Sequence, residues 1–409
     1  MGAGRSSATE AAKQKPSPQD LYECLPTLNR ETSSLSEKEA SLEMEFQLET
    51  MRLKCLAAEG NNLDELLRRE DDNNDFEYAY EGISLPLDGQ GFVQSFPAHE
   101  AGAIRSFFDR FGLVVVHDAI DDVAGVRSVA EVWDYLEREC KGLERADPST
   151  WERWPPLWKL GILGNTFMLS PQFCENRQAS GVHQAFVAVF QTERLIVNTG
   201  RASAMRPTRR VPQQQQDDSV QPTDRLEWRS TEGADWLHWD MNPFTGFAST
   251  FSWRVRDWRA NRGYSRLRVQ GILALSDCGP EDGGFFCVPG SHQVVRGWAH
   301  RNDKVIRDAR LASPESNAQL HLPPDDPLKR HAQKAPIRRG SLLIWDARLA
   351  HCNFPNNSER MRIVQYIQMA EADDPALAPL CAKQAYLPPA EQFSLSEVGS
   401  KLYGFKAWE

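Results

Sequence analysis

Residues 340–369 read GSLLIWDARLAHCNFPNNSERMRIVQYIQM, an apolar β-rich run, a polar turn and a second β-rich run. Leu, Ile, Val, Trp and Tyr dominate the two runs, and Pro355-Asn356-Asn357 supplies residues that reverse a chain. His351 ends the first strand region and Arg362 opens the second, so the pattern predicts a hairpin bringing the two together. An arginine entering an apolar barrel is costly unless an anion meets it. The guanidinium fork suits a carboxylate held in bidentate geometry, as a dicarboxylate cosubstrate would offer.

Upstream, LRVQGILALSD (267–277) and GGFFCVPGSH (283–292) repeat the theme of short β-rich runs between Gly, Pro, Asn and Asp turns. That spacing predicts an antiparallel sandwich or barrel, not a βαβ fold. No GxGxxG or phosphate-cradling GKS/T loop occurs, so a nucleotide fold has no support. The first half adds a helix over 98–110, a buried strand at 113–116, a helix over 128–142 and a packed Trp- and Pro-rich loop at 151–160. Residues 180–200 fit either helix or strand.

The remaining stretches set the domain plan. Residues 1–33 lack apolar periodicity and read as a disordered tail. Residues 34–81 form a helical extension, with helices within 34–69, ending in the acidic linker EDDNNDFE (70–77). The catalytic domain is expected over 82–409, interrupted by a polar, low-complexity, mobile insertion at 201–226.

A second metal-type motif lies at Trp236-Leu237-His238-Trp239-Asp240. Residues i and i+2 of a strand share a face, so His238 and Asp240 point into one cavity. Such a pair, completed by a second histidine, leaves one face of a metal ion open, the arrangement of Fe(II) oxygenases. The neighbouring His117-Asp118 pair lacks this spacing. Trp236, Trp239, Trp253 and Trp258 are candidates for an aromatic wall or for core. Asn242 orients Asp240 or caps the next turn.

The order HWD, GGFFCVPGSH, GSLLIWDARLAH, RMRIVQY resembles the phytanoyl-CoA dioxygenase family of Fe(II)/2-oxoglutarate oxygenases, over roughly residues 230–370. The resemblance implies a double-stranded β-helix (jelly-roll, cupin-like) core with flanking helices, an α+β protein that is mainly β. It implies Fe(II), with 2-oxoglutarate and O2 as cosubstrates. His238, Asp240 and His351 match the iron ligands. Arg362, eleven positions beyond His351, matches the residue that pairs with the far carboxylate of 2-oxoglutarate, with Arg360 as the fallback. Gln270 matches a strand that lines the cosubstrate pocket, and His292 a structural turn. The implied reaction hydroxylates a C–H bond of a small organic substrate and decarboxylates 2-oxoglutarate to succinate. Asp240 argues against halogenation, because halogenating relatives lack this carboxylate. Two departures stand out: the long Trp- and Arg-rich stretch 241–266, and Asn353 where the family often has a hydroxyl residue. The alternatives are a cupin-like metalloenzyme without 2-oxoglutarate and a non-catalytic jelly-roll binding module; only the first reading needs a buried Arg362.

Bulk properties fit. The 409 residues carry a formal net charge of −10, which argues against nucleic acid as a partner. No apolar run reaches membrane-spanning length and no signal peptide is evident. The eight cysteines form no CxxC pair, which predicts a reduced, cytoplasmic protein. The start Met1-Gly2 meets the minimal N-myristoylation pattern, and a single acyl chain would anchor only marginally.

Overall fold

The runs expected as strands do form strands, and their partners lie far apart in sequence. In chain order they are β1 (Ser95–Phe96), β2 (Leu113–Val116), β3 (Ile162–Leu163), β4 (Leu195–Asn198) and β5 (Ala202–Met205). Then come the hairpin β6 (Val211–Gln214) and β7 (Val220–Thr223), followed by β8 (His238–Trp239), β9 (Val269–Ala274) and β10 (Gly284–Cys287). The series ends with β11 (Leu320–His321), β12 (Gln333–Lys334), β13 (Leu342–Asp346), β14 (His351–Phe354) and β15 (Arg362–Glu371). The computed structural model describes residues 80–154, 161–163, 169–198, 200–214, 220–229, 236–240, 268–302, 320–372 and 393–409. The tail 1–33, the helices expected within 34–69, the linker 70–77, Gly2, Asn242, Trp253 and Trp258 lie outside the described residues, which all belong to the unit 76–409.

A larger sheet runs β1-β2-β13-β9-β15-β5-β3, with β4 also on β15, and a smaller one runs β11-β8-β14-β10-β12. From β8 onward the chain alternates between them: β8 small, β9 large, β10 small, and later β13 large, β14 small, β15 large. This is a double-stranded β-helix, antiparallel except where β1 meets β2. The two sheets meet through their inner side chains, as where the Phe285 and Trp345 rings lie 4.8 Å apart.

Helices cover the outer face of the larger sheet. Helix α1 (Ala101–Phe111) buries Ile104, Phe107, Phe108 and Phe111, one apolar stripe at helical spacing, and stops at Gly112 with φ 75°. Helix α2 (Asp122–Glu139) starts where Asp121 accepts a hydrogen bond from the Ala124 amide at 2.8 Å. Helices α3 (Pro171–Gln178) and α4 (Ser180–Phe190) follow, so the ambiguous stretch 180–200 is helix first and strand (β4) second. Helix α4 packs against α1, β13 and β15. Shorter helices α5 (Val295–Arg301) and α6 (Glu397–Leu402) complete the set. Among the described residues no helix is long and apolar enough to cross a membrane.

Two expectations need correction. The stretch 201–226 is not simply a mobile insertion, because β5 is fully buried and pairs with β15 from Arg362↔Met205 to Gln365↔Ala202. Nor do His351 and Arg362 share a hairpin. His351 opens β14 in the smaller sheet after β13 has ended at Asp346, and Arg362 opens β15 in the larger one. They reach the same barrel from opposite walls.

Candidate metal centre and its pocket

Strand register places the metal-type residues. His238 in β8 lies directly opposite His351 in β14, and Asp240 follows immediately after β8. All three are buried. The Nδ1 of His238 is 3.0 Å from the Trp236 carbonyl oxygen, and that of His351 is 2.9 Å from the Leu349 carbonyl oxygen. A carbonyl only accepts, so each Nδ1 carries a proton and, in the neutral ring, each Nε2 presents a lone pair. Those Nε2 atoms lie 3.3 Å from Asp240 Oδ1 and Oδ2 respectively. The three ligand-type atoms fall within 4.8 Å of one another. Burial resists ionisation of Asp240, yet imidazoles protonated on Nε2, His351 foremost, hold its carboxyl well below the usual carboxylate range, as a cation in place of those protons would. Three acceptors thus converge on one point, an arrangement that a cation relieves.

Behind Asp240 stands a relay across the larger sheet. Gln270 of β9 donates through Nε2 to Asp240 Oδ2, and Gln368 of β15 donates to Gln270 Oε1 at 2.7 Å. Gln270 lines the cavity and also fixes the carboxylate. Gln270→Leu should weaken divalent-metal binding by about 10- to 100-fold. Calorimetric titration with Mn(II) reads this, and unchanged affinity would reduce Gln270 to a packing residue.

The cavity in front of the triad is mostly apolar. Trp236, Ile272, Phe285 and Trp345 form its walls, with Asn353 and Tyr366 as polar lining. Trp236 stacks on His238 (centroids 5.3 Å apart, planes 19°) and Phe285 on His351 (5.3 Å, 18°), so aromatic faces clamp both imidazoles. Asn353 Nδ2 donates to the Tyr366 hydroxyl at 3.1 Å. The hydroxyl that the sequence lacks at 353 thus reaches the pocket from β15.

Alternation along β15 sends Arg362 to the same face as Tyr366 and Gln368. Arg362 is 0% exposed. Its Nη1 donates to Ser203 Oγ of β5 at 2.9 Å, its Nε has no partner, and among the described residues no carboxylate pairs with it. Arg360, the fallback, is committed elsewhere: its Nε and Nη2 donate to Asp282 Oδ1 and Oδ2 at 3.2 and 2.6 Å. It lies before β15 begins, so it does not share the inward face.

That pair has its own consequence. Asp282 is fully buried, while the Arg360 side chain is 61% exposed. Burial raises the Asp282 carboxyl, but Arg360, with Ser358 and the Gly279 amide, outweighs this and lowers it. A lowered carboxyl contributes stability above the ordinary aspartate pKa of about 3.9, lost as pH falls through the depressed value. Arg360→Ala should therefore cost about 1–3 kcal/mol at neutral pH, by stranding a buried carboxylate, and much less at low pH. Urea melts at neutral pH and near pH 3 test the sign; an equal cost at both would refute it.

His292 of the PGSH turn is not among the residues lining the cavity, and its Nε2 lies 3.1 Å from the Asp109 carbonyl oxygen at the end of α1. Gly290 just before it has φ 80°, the left-handed conformation that the turn requires. Sequence reasoning missed Ser203, Tyr366 and Gln368. The period-2 alternation from Arg362 along β15 pointed to the last two.

Residues 214–364 match the model of the family described as phytanoyl-CoA dioxygenase (PhyH), a span holding all five predicted site residues. A Dictyostelium discoideum protein named for phytanoyl-CoA dioxygenase is 24% identical over 284 residues, covering 64% of this chain and 73% of its own. The Ava biosynthesis cluster protein O of Aspergillus versicolor is 22% identical over 285 residues, covering 67% and 79%. The crystal structure of GlcNAc Inducible Gene 2 (GIG2) from Candida albicans superposes with a TM-score of 0.52 at 12% identity, over 78% of this chain and 81% of that one, a likeness of fold. The alternating two-sheet barrel and the His-Asp-His cluster stand together with these matches, and over residues 214–364 the chain is similar to the phytanoyl-CoA dioxygenase (PhyH) family.

Proposed function

We propose that the chain is a 2-oxoglutarate-dependent hydroxylase of a small organic molecule, holding Fe(II) through His238, Asp240 and His351 and the far carboxylate of 2-oxoglutarate through Arg362. The observation that carries this reading is the buried Arg362 with its unpartnered Nε and no carboxylate among the described residues. Burying a guanidinium without an anion costs several kcal/mol, so Arg362 on the face of β15 that also carries Tyr366 and Gln368 calls for an anion delivered with the ligand. The donor set fits as well. Two neutral imidazoles and a carboxylate satisfy ferrous iron and leave open positions for a chelating cosubstrate.

When bound, Fe(II), 2-oxoglutarate and O2 supply the oxidising equivalent: one oxygen atom goes to the substrate C–H bond and one to succinate, with release of CO2. The protein's own contribution is positional. The carbonyls of Trp236 and Leu349 fix both histidine tautomers, Gln270 fixes Asp240, and Arg362 with Ser203 aligns a carboxylate deep in the barrel. The walls of Trp236, Phe285 and Trp345 exclude water and keep the reacting atoms together.

The test is an anaerobic titration of the Fe(II)-loaded protein with 2-oxoglutarate. A weak visible charge-transfer band, saturating with 2-oxoglutarate and absent in His238→Ala, is expected. Iron binding without the band would return the site to a cupin-like metalloenzyme, and no iron binding would leave the non-catalytic reading.

A further inference from the structure

Arg201 lies on the wall of the metal cavity and has no assigned task. It immediately precedes β5, and its carbonyl accepts a hydrogen bond from the Tyr366 amide at 2.6 Å. Since Ala202 stands opposite Gln365, Arg201 stands opposite Tyr366, and cross-strand partners share a face. Tyr366 lines the cavity, so Arg201 does too. It is half-buried, unlike Arg362, and is therefore reachable from outside. Among the described residues no hydrogen bond, ion pair or ring contact involves its guanidinium. Away from the triad, the Gln270–Gln368 relay and the Asn353–Tyr366 pair, the wall is largely apolar: Ile162, Ile272, Trp236, Phe285 and Trp345.

A free guanidinium at an aromatic and aliphatic wall recognises an apolar molecule that bears a carboxylate. We propose that Arg201 is a substrate anchor, separate from Arg362, and that the molecule hydroxylated here is an apolar carboxylic acid. This rests on the reading of the cavity as an oxygenase site. Partial burial strengthens the pairing without the desolvation cost that a fully buried ion pair carries.

Octanoate and octanamide are suitable probes, because they share a carbon chain and differ in charge. Their binding to the full chain would be measured calorimetrically with Mn(II) and saturating 2-oxoglutarate present, and again with both absent. Octanoate should bind at least about tenfold more tightly than octanamide. Arg201→Gln should erase that preference, and Arg201→Lys should keep part of it, while 2-oxoglutarate affinity stays within about twofold. Equal binding of the two probes, or of neither, overturns the proposal. So does an Arg201→Gln variant that loses 2-oxoglutarate instead, which would give Arg201 to the cosubstrate. Failure of 2-oxoglutarate itself to bind the wild-type protein would strike the hydroxylase reading, while the arm without metal still reports on Arg201.

Discussion

Asp240→Ala is expected to weaken Mn(II) or Fe(II) binding by more than about 100-fold, beyond the loss typical of a residue behind the ligands, and to abolish succinate formation. Asp240 supplies the only anionic oxygens of the cluster and faces both imidazoles at 3.3 Å. Without it two neutral nitrogens remain, and a divalent cation buried among aromatic rings would carry its full charge uncompensated. Asp240→Asn separates shape from charge: it keeps the size of the side chain and one acceptor oxygen but removes the negative charge. It too should lose metal by at least tenfold. The metal-free fold should survive both changes, since removing the carboxylate ends the convergence of three acceptors. Calorimetry with Mn(II), alongside thermal melts of the metal-free protein, checks both halves. An Asp240→Asn protein that binds metal like the wild type would show that the cluster is not the metal site.

Arg362→Met is expected to act in opposite directions on function and stability. Two charge-assisted hydrogen bonds from one guanidinium correspond to a loss of at least about 100-fold in 2-oxoglutarate affinity. The ligand-free protein should gain, because an apolar chain of similar reach replaces a cation buried at 0% exposure with an unpartnered Nε. Comparable replacements of buried charges by apolar residues stabilise by about 1–4 kcal/mol. Denaturant melts of metal-free protein and a 2-oxoglutarate titration together read the result. A variant that is less stable and still binds 2-oxoglutarate would make Arg362 a structural partner of Ser203 and move the anchor elsewhere.

The parts of the site legible in the sequence were those governed by local rules. The i, i+2 spacing of His238 and Asp240 picks out the pair even though β8 itself ends at Trp239, and the apolar stripe marks helix α1. Partnerships made across long loops were hidden. Ala202–Met205 carries small side chains of weak strand preference among polar neighbours, yet β15, some 160 residues later, makes it a buried strand. The same non-local pairing delivers Ser203 to Arg362, which no spacing rule could anticipate. The turn residues Pro355-Asn356-Asn357 do reverse the chain, but β14 and β15 sit in different sheets, so the reversal crosses the barrel and makes no hairpin. Arg360, the fallback, drops out for a related reason: the period-2 pattern extends only as far as the strand, and β15 begins at Arg362.

One continuous strand, β15, carries Arg362 at its start and Gln368, whose bond to Gln270 leads to Asp240, six residues further on. It is held on both sides, by β9 and by β5, so it cannot slip in register. Covalent geometry, at about 3.3 Å per residue, therefore sets the separation between the guanidinium and the metal end of the barrel. β15 thus works as a fixed spacer: the guanidinium at its start and the glutamine relay that steadies Asp240 sit on one rigid strand, so an anion held at one end and the carboxylate steadied from the other cannot drift apart.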